Sequence, residues 1–228
     1  MSLSRYKLPH YVFVVFPLVA IITANTLFQI IDTTKGKKIF IGLQWFVWAT
    51  LWTAVGLLTF GTFPHVSWII VMIAIMFLIS SFYYLAISKE LIDKIVYSAL
   101  LTMIGVNFVL NTHFYPTLLT YQAGSVAGRY IAELEEKPDV YTFRNVSHGV
   151  DYYSGGVAPS KEIDFIRSNS GVWVYTSEAG KKALDEAGLK YAMVKTFQSF
   201  RVTGLTMTFL VPSTRDEALD EMYLLEVD

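Results

Sequence analysis

A run of 49 residues, Ile39 to Ile87, passes without a single Asp, Glu, Lys or Arg, and it limits the possible folds more than any other stretch. A helix crosses the hydrocarbon core of a bilayer with about 20 apolar residues. The run is too long for one crossing and long enough for two, so it must turn back once. Gly61-Thr62-Phe63-Pro64-His65 is the turn-like cluster near its middle. Two more uncharged runs flank it, Tyr11–Ile31 and Ile95–Gly128, the second polar only after Asn111. Together they predict four transmembrane helices, at about residues 10–31, 39–60, 67–87 and 95–115. A signal peptide is the rival reading of the first run. Its apolar stretch is too long for a usual h-region, and no small-x-small cleavage site precedes Asp32.

Charge divides the chain into unlike halves. Residues 1–116 hold seven Lys/Arg and three Asp/Glu, whereas residues 117–228 hold eleven and sixteen. The first part has membrane composition and the second has the composition of a water-exposed domain, with the boundary near Pro116. A net charge of −1 gives no sign of a nucleic-acid partner. The absence of Cys excludes disulfides, Cys-ligated metal sites and thiol catalysis.

The basic loops orient the helices. Loops 32–38 and 88–94 share one side of the membrane and carry five Lys/Arg, which marks that side as cytoplasmic. The N-terminus and residues 117–228 then face outward, into the periplasm if the membrane is a bacterial inner membrane. A basic lead with Arg5 and Lys7 normally stays inside. The conflict disappears if the chain is the tail of a longer membrane protein, and that is the expectation. Trp45, Trp48 and Trp52 recur on one helical face and are expected to anchor or pack that helix. Trp68 and Tyr115 fall at the expected interfaces, where amphipathic rings are favoured.

The stretch from Thr117 onward alternates helical and strand patterns. Leu119–Leu134 has helical spacing, and Asp139–Asn145 is β-rich after Pro138. Val150–Tyr153 is a short helix candidate. Gly171–Thr176 reads as a strand that meets Ser177, an N-cap for a helix over Glu178–Ala187 that ends at Gly188. Leu189–Phe197 and Met222–Val227 read as strands, and Thr214-Arg-Asp-Glu217 has N-cap chemistry. Alternating strands and helices predict a small α/β domain with a largely parallel sheet. The fold class is therefore a helical membrane region, residues 1–116, followed by a small α/β extracytoplasmic domain, residues 117–228.

That domain lacks the usual signatures of chemistry. It has no glycine-rich phosphate loop, and Ser154-Gly155-Gly156 lacks the frame of a nucleophile elbow. Gly124-x-x-x-Gly128 lies beyond the last span, where close local packing is expected. Asn145-Val-Ser147 matches a glycosylation sequon, a pattern common by chance. The four histidines show no metal-ligand spacing, and no cofactor is expected.

The most informative segment is Ser2-Leu-Ser-Arg-Tyr-Lys-Leu-Pro-His-Tyr11, followed by Pro17. Pro9 can open a helix, because the first turn has no use for its missing N–H. Arg5 and Lys7 then sit at headgroup level, where snorkelling anchors are the plain reading. The segment resembles the Ser-x-Ser-Lys/Arg-x-Lys-Leu-Pro-x-Tyr motif of a superfamily of membrane glycosyltransferases. Its members include aminoarabinose transferases that modify lipid A and dolichyl-phosphate-mannose–protein mannosyltransferases. Ser2, Ser4, Arg5, Lys7, Leu8, Pro9, Tyr11 and Pro17 match the pattern. Two further stretches, Tyr121–Tyr130 and Phe209–Ala218, look similar to the tails of such proteins from Bacteroidetes-type bacteria.

The resemblance implies transfer of a sugar from a polyprenyl-phosphate donor to a lipid, glycan or protein acceptor at the outer face. It implies that Lys7, then Arg5, stabilises the departing lipid phosphate, with Tyr6, His10 and Tyr11 adding hydrogen bonds. The chain also departs from the family, whose members have about a dozen membrane helices and a catalytic acid in the first outer loop. Asp32 is the sole acid in residues 1–89, and it falls on the expected inner side. No catalytic residue is therefore assigned in this chain. It is read as the C-terminal portion of such an enzyme, inactive alone and partnered by membrane lipid and by the missing N-terminal helices or a partner subunit. The alternative is a non-enzymatic membrane protein or accessory subunit that displays an α/β binding domain. If the acid were instead in the outer domain, Asp151 and Asp164 would be the first residues to test.

Overall fold

The computed structural model of the chain describes residues 15–31 and 34–228. Helix α1 spans Phe16–Ile31. Helix α2, Thr34–Gly56, runs on into a π-helical stretch over Leu57–Thr62. Helix α3 is Trp68–Ala86. After it, π-helical turns at Asp93–Tyr97 and Leu110–Phe114 bracket α4, Ser98–Val109, and α5, Tyr115–Leu119, completes the rod. Lys35–Thr62, Trp68–Ala86 and Asp93–Leu119 are long and apolar enough to cross a membrane, which suggests a multi-pass membrane protein. The expected span at 10–31 lies partly outside the described residues. Within them it contributes the shorter apolar helix Phe16–Thr26.

The chain forms two compact units. The first takes in the helical residues up to Val55 together with Val71–Phe108. Its helices are joined by polar side chains set among apolar ones. Gln44 Nε2 donates to Ser98 Oγ at 3.0 Å, and Trp48 Nε1 donates to Ser81 Oγ at 2.9 Å. Between helices in lipid such bonds contribute about 0.6–2 kcal/mol each. Trp45 and Trp48 both meet Phe82, with ring centroids 5.8 Å apart. The tryptophan face thus packs helix against helix. Phe46 and Ile79 point outward, as side chains bathed in lipid do.

The second unit comprises Gly56–Ile70 and Val109–Asp228. It contains helices α6 (Ala123–Ala132), α7 (His148–Ser154), α8 (Ile163–Arg167), α9 (Glu178–Glu186) and α10 (Met207–Leu210). Its strands are β1 (Val140–Phe143), β2 (Trp173–Ser177), β3 (Tyr191–Ser199) and β4 (Asp220–Val227). They form one mixed sheet in the order β1-β2-β4-β3. β1 pairs parallel to β2, while β4 runs antiparallel to both β2 and β3.

This corrects the largely parallel sheet expected from the sequence. β1, β2 and β3 do share one direction, as strand–helix–strand alternation requires. The final strand inserts between β2 and β3, so both of its pairings are antiparallel. Its inner position explains its composition: Met222, Tyr223, Leu224, Leu225 and Val227 are all buried. A strand covered on both faces loses the usual alternation of polar and apolar residues.

The period of two sorts these side chains between two cores. Tyr175, Met222 and Leu224 face Ala123, Ala127, Ile131 and Val150 of α6 and α7. Val174, Tyr223, Leu225 and Val227 face Ile166 of α8 and Ala183 and Leu184 of α9. Two local details differ from the sequence reading. The helix expected over Leu119–Leu134 is broken at Thr120–Gln122, where the last turn of α5 closes before α6 begins. Thr214 takes the N-cap position of a short 3-10 helix, Arg215–Ala218, and its backbone carbonyl accepts from the Glu217 N–H. Its hydroxyl does not cap that helix and instead donates back to the Thr208 carbonyl at 2.9 Å, with the Val211 carbonyl at 3.4 Å. Ser177 does cap α9 through the Gly180 N–H, and Gly188 follows that helix at φ 70°, a conformation glycine adopts without strain.

Candidate functional site

The residues carrying the family-like motif, Arg5, Tyr6, Lys7, His10 and Tyr11 among them, lie outside the described residues. Pro17 is described and sits in the first turn of α1. Two features of the second unit have the build of functional elements.

The first is an open cleft of about 600 Å³ on the α6–α7 side of the sheet. Its walls are the start of α6, the loop Asn145–Ser147, the start of α7 and the end of β3, and Tyr175 and Met222 contribute from the sheet. Close approach of α6 to α7 shapes it. A Cβ on Gly128 would lie 2.9 Å from the carbonyl oxygens of Gly149 and Val150, and one on Gly149 would lie 2.8 Å from the Ser125 nitrogen. The expectation of close local packing at Gly124-x-x-x-Gly128 is met here, with α7 as the partner.

At the end of β1 the chain turns through Arg144, whose φ of 49° is unusual for a residue with a side chain. That turn brings Asn145 and Ser147 to the cleft. Ser147 Oγ accepts from the Val150 N–H at 3.3 Å and so starts α7. Arg144 carries backbone strain of a kind that concentrates at functional sites.

The cleft surface is polar and aromatic. His148 and Tyr152 are almost fully exposed on its rim, and Arg129 lies 4.7 Å from the centroid of the Tyr153 ring. Hydroxyl, amide and aromatic groups of this kind suit a neutral hydroxylated ligand. Asp151 lies one turn along α7 from His148. One of its oxygens accepts from the Ala158 N–H at 2.8 Å, and the other lies 3.9 Å from His148 Nδ1. Asp151 is thus fastened to the loop after α7, and the exposed His148 imidazole lies next to it. Asp164, the other acid singled out in the sequence, is on the surface, 4.0 Å from Arg167. In the sequence the Asn145–Ser147 stretch reads as a sequon that begins at the end of a β-rich run. The signal for its structural role is Ser147, placed just ahead of a short helical pattern.

The second feature is a buried aromatic knot around Arg215. Phe63, Phe114, Leu118 and Phe209 form a core of their own, with Tyr121 and Phe200 against it. Arg215 donates from Nε to the Phe209 carbonyl at 3.0 Å, from one Nη to the Tyr121 hydroxyl at 3.4 Å and from the other to the Thr62 carbonyl at 2.5 Å. Its guanidinium also lies over the Phe63 ring, 4.7 Å from the centroid. His113 Nε2 makes a 2.8 Å hydrogen bond with the Phe63 carbonyl. The turn between two membrane-length helices is thereby fastened to the Phe209–Arg215 stretch near the end of the chain. Tyr121 and Arg215 belong to the two tail stretches singled out in the sequence, and the fold brings them together.

Comparison of the chain with protein-family models, with curated proteins and with solved structures finds no match.

Proposed function

We propose that this chain is the C-terminal portion of an integral-membrane glycosyltransferase. The reaction moves a sugar from a polyprenyl-phosphate donor to a lipid, glycan or protein acceptor at the periplasmic face of a bacterial inner membrane. The observation that carries the reading is the cation-bearing segment Ser2–Tyr11, with its two cations, two tyrosines and proline at the start of an apolar run. Arg5 and Lys7 would meet the donor phosphate, where charge develops as the sugar leaves. The meeting of Tyr121 with Arg215 supports the reading, because it makes one built element of the two tail stretches that resemble this family. The polar cleft beside α6 and α7 offers hydroxyl and amide groups to an acceptor glycan.

An inverting transfer needs a carboxylate to deprotonate or orient the acceptor. In this reading the carboxylate comes from further helices or from a partner subunit. The test is sugar transfer in membranes from a radiolabelled polyprenyl-phosphate sugar. The chain alone should be inactive, and co-expression with the polypeptide encoded immediately upstream should restore turnover. Robust turnover by the purified 228-residue chain would overturn the assignment of the base to another segment and direct the search to Asp151.

The cleft also favours a second reading, a membrane protein that displays a periplasmic binding domain without catalysis. No turnover with the upstream polypeptide, together with glycan binding lost in Asn145→Ala, would select it.

A further inference from the structure

The segment between Arg201 and Arg215 stands apart from the rest of the C-terminal region. Val202 to Thr214 carries no charge, in a part of the chain otherwise dense with Asp, Glu, Lys and Arg. It is apolar without being buried. Met207 is 73% exposed, and Leu205 and Val211 are exposed as well. Phe209 alone is fully buried, and it plugs into the knot with Phe63 and Tyr121.

That plug locates the segment. Thr62 closes the membrane-length helix Lys35–Thr62, and Trp68 opens the next, Trp68–Ala86. The turn between them is therefore where the chain leaves the bilayer and re-enters it. Arg215 holds the Thr62 carbonyl and α10 packs on Phe63, all within one compact unit. Met207 and Val211 flank the plug by two residues on either side, so they lie close to the emerging helix ends. Trp68 is 73% exposed at the same turn, as a ring at the membrane–water boundary would be.

We infer that residues 202–211 form an interfacial membrane contact, which seats Leu205, Met207 and Val211 among the lipid headgroups and upper acyl chains of the leaflet that the Thr62–Trp68 turn meets. The missing charge follows, since a charged side chain at this depth would lose hydration. Arg201, exposed at the edge of the segment, suits lipid phosphate. The occupant is lipid because the apolar surface is continuous with a turn that already belongs to the membrane boundary. The inference does not depend on sugar transfer.

The chain has no Cys, so one introduced cysteine can be labelled alone. Met207→Cys and Leu205→Cys in the full chain, in phosphatidylethanolamine–phosphatidylglycerol vesicles, would carry an environment-sensitive fluorophore. Asp164→Cys serves as the water-facing reference and Ile79→Cys as the lipid-facing one. For a depth of about 5–10 Å, lipids bearing a nitroxide high on the acyl chain should quench the 205 and 207 labels at least about twofold more than the 164 label. Aqueous iodide should quench them correspondingly less. Iodide quenching equal to that of the 164 label, with no nitroxide effect, overturns the inference. Protection from iodide that grows with protein density in the vesicle, without nitroxide quenching, also overturns it and assigns the surface to a second copy of the chain.

Discussion

Arg215 and Thr62, 153 positions apart, are joined by a hydrogen bond of 2.5 Å from the guanidinium to the backbone carbonyl. The carbonyl belongs to the last turn of a membrane-length helix, whose final carbonyls have no later N–H of the same helix to accept from. The guanidinium answers it with a fork that also reaches Phe209 and Tyr121. A planar, permanently charged group suits this place, because it can donate along its edges while its face rests on Phe63.

Arg215→Met should therefore loosen all three partners at once. Hydrogen bonds from a charged donor contribute about 1.5–3 kcal/mol each, and a partly exposed group realises the lower end. Amide hydrogen exchange at Phe209, Leu210 and Phe63 in the detergent-solubilised chain should accelerate by at least about 10-fold, the equivalent of one such bond. Arg215→Lys should recover only part of the protection, since it keeps the charge and loses the fork. Unchanged exchange in Arg215→Met would remove the residue from any docking role.

Gly128→Ala should destabilise the packing of α6 on α7 by about 1–3 kcal/mol, the usual cost of an intruding methyl in a filled contact. The added Cβ would meet two backbone carbonyl oxygens at 2.9 Å, and backbone cannot rotate away. Gly156→Ala is the control: no atom lies within 4 Å of the place its methyl would take, and it should stay within about 0.5 kcal/mol of the parent. Amide hydrogen exchange of α6 and α7 across a denaturant series would separate the two.

Alkaline pH should weaken the sheet. Burial and the hydrogen bond to Asp185 push the Tyr191 hydroxyl from 10.0 up to about 12. Burial raises Tyr175, and the carboxylates of Glu178 and Glu221 raise Tyr223. The folded state keeps these protons where the unfolded chain has lost them. Their contribution is complete below about pH 10 and disappears as pH rises toward the folded-state values. Melting temperature should fall from pH 10 upward, and Tyr191→Phe should make the fall shallower between pH 10 and 12. An equal slope in both proteins would show that Tyr191 keeps no such proton.

Lys7 separates anchoring from catalysis. Anchoring by one cation at the membrane surface is worth about 1 kcal/mol. A group that neutralises developing charge on a departing phosphate is worth about 100- to 1000-fold in turnover. If the chain acts as proposed, with Lys7 neutralising the departing lipid phosphate, then in membranes that support sugar transfer Lys7→Gln should cause a loss of that size and Lys7→Arg should restore part of it, with Arg5→Gln milder. A Lys7→Gln enzyme within about threefold of the parent would leave Lys7 as an anchor, because that ratio is less than 1 kcal/mol.

The division of the chain is legible in the order of its residues alone. Long uncharged runs such as Ile39–Ile87 can be satisfied only by lipid or by a large apolar interior, and a turn at Gly61–His65 follows from length. Local chemistry is equally legible: Ser177 and Gly188 delimit α9 because capping involves only neighbours along the chain. Whatever depends on who sits beside whom was settled by the packed fold. Nothing in residues 220–227 states that this strand inserts between β2 and β3, since strand order is chosen by the packing of α6–α9 on the two sheet faces. The cleft exists because Gly128 and Gly149, well separated in sequence, let two short helices touch. The union of Arg215 with Thr62 is likewise invisible to any local pattern. A charge near the end of the chain and a carbonyl in a membrane turn become partners only once the fold removes water from between them.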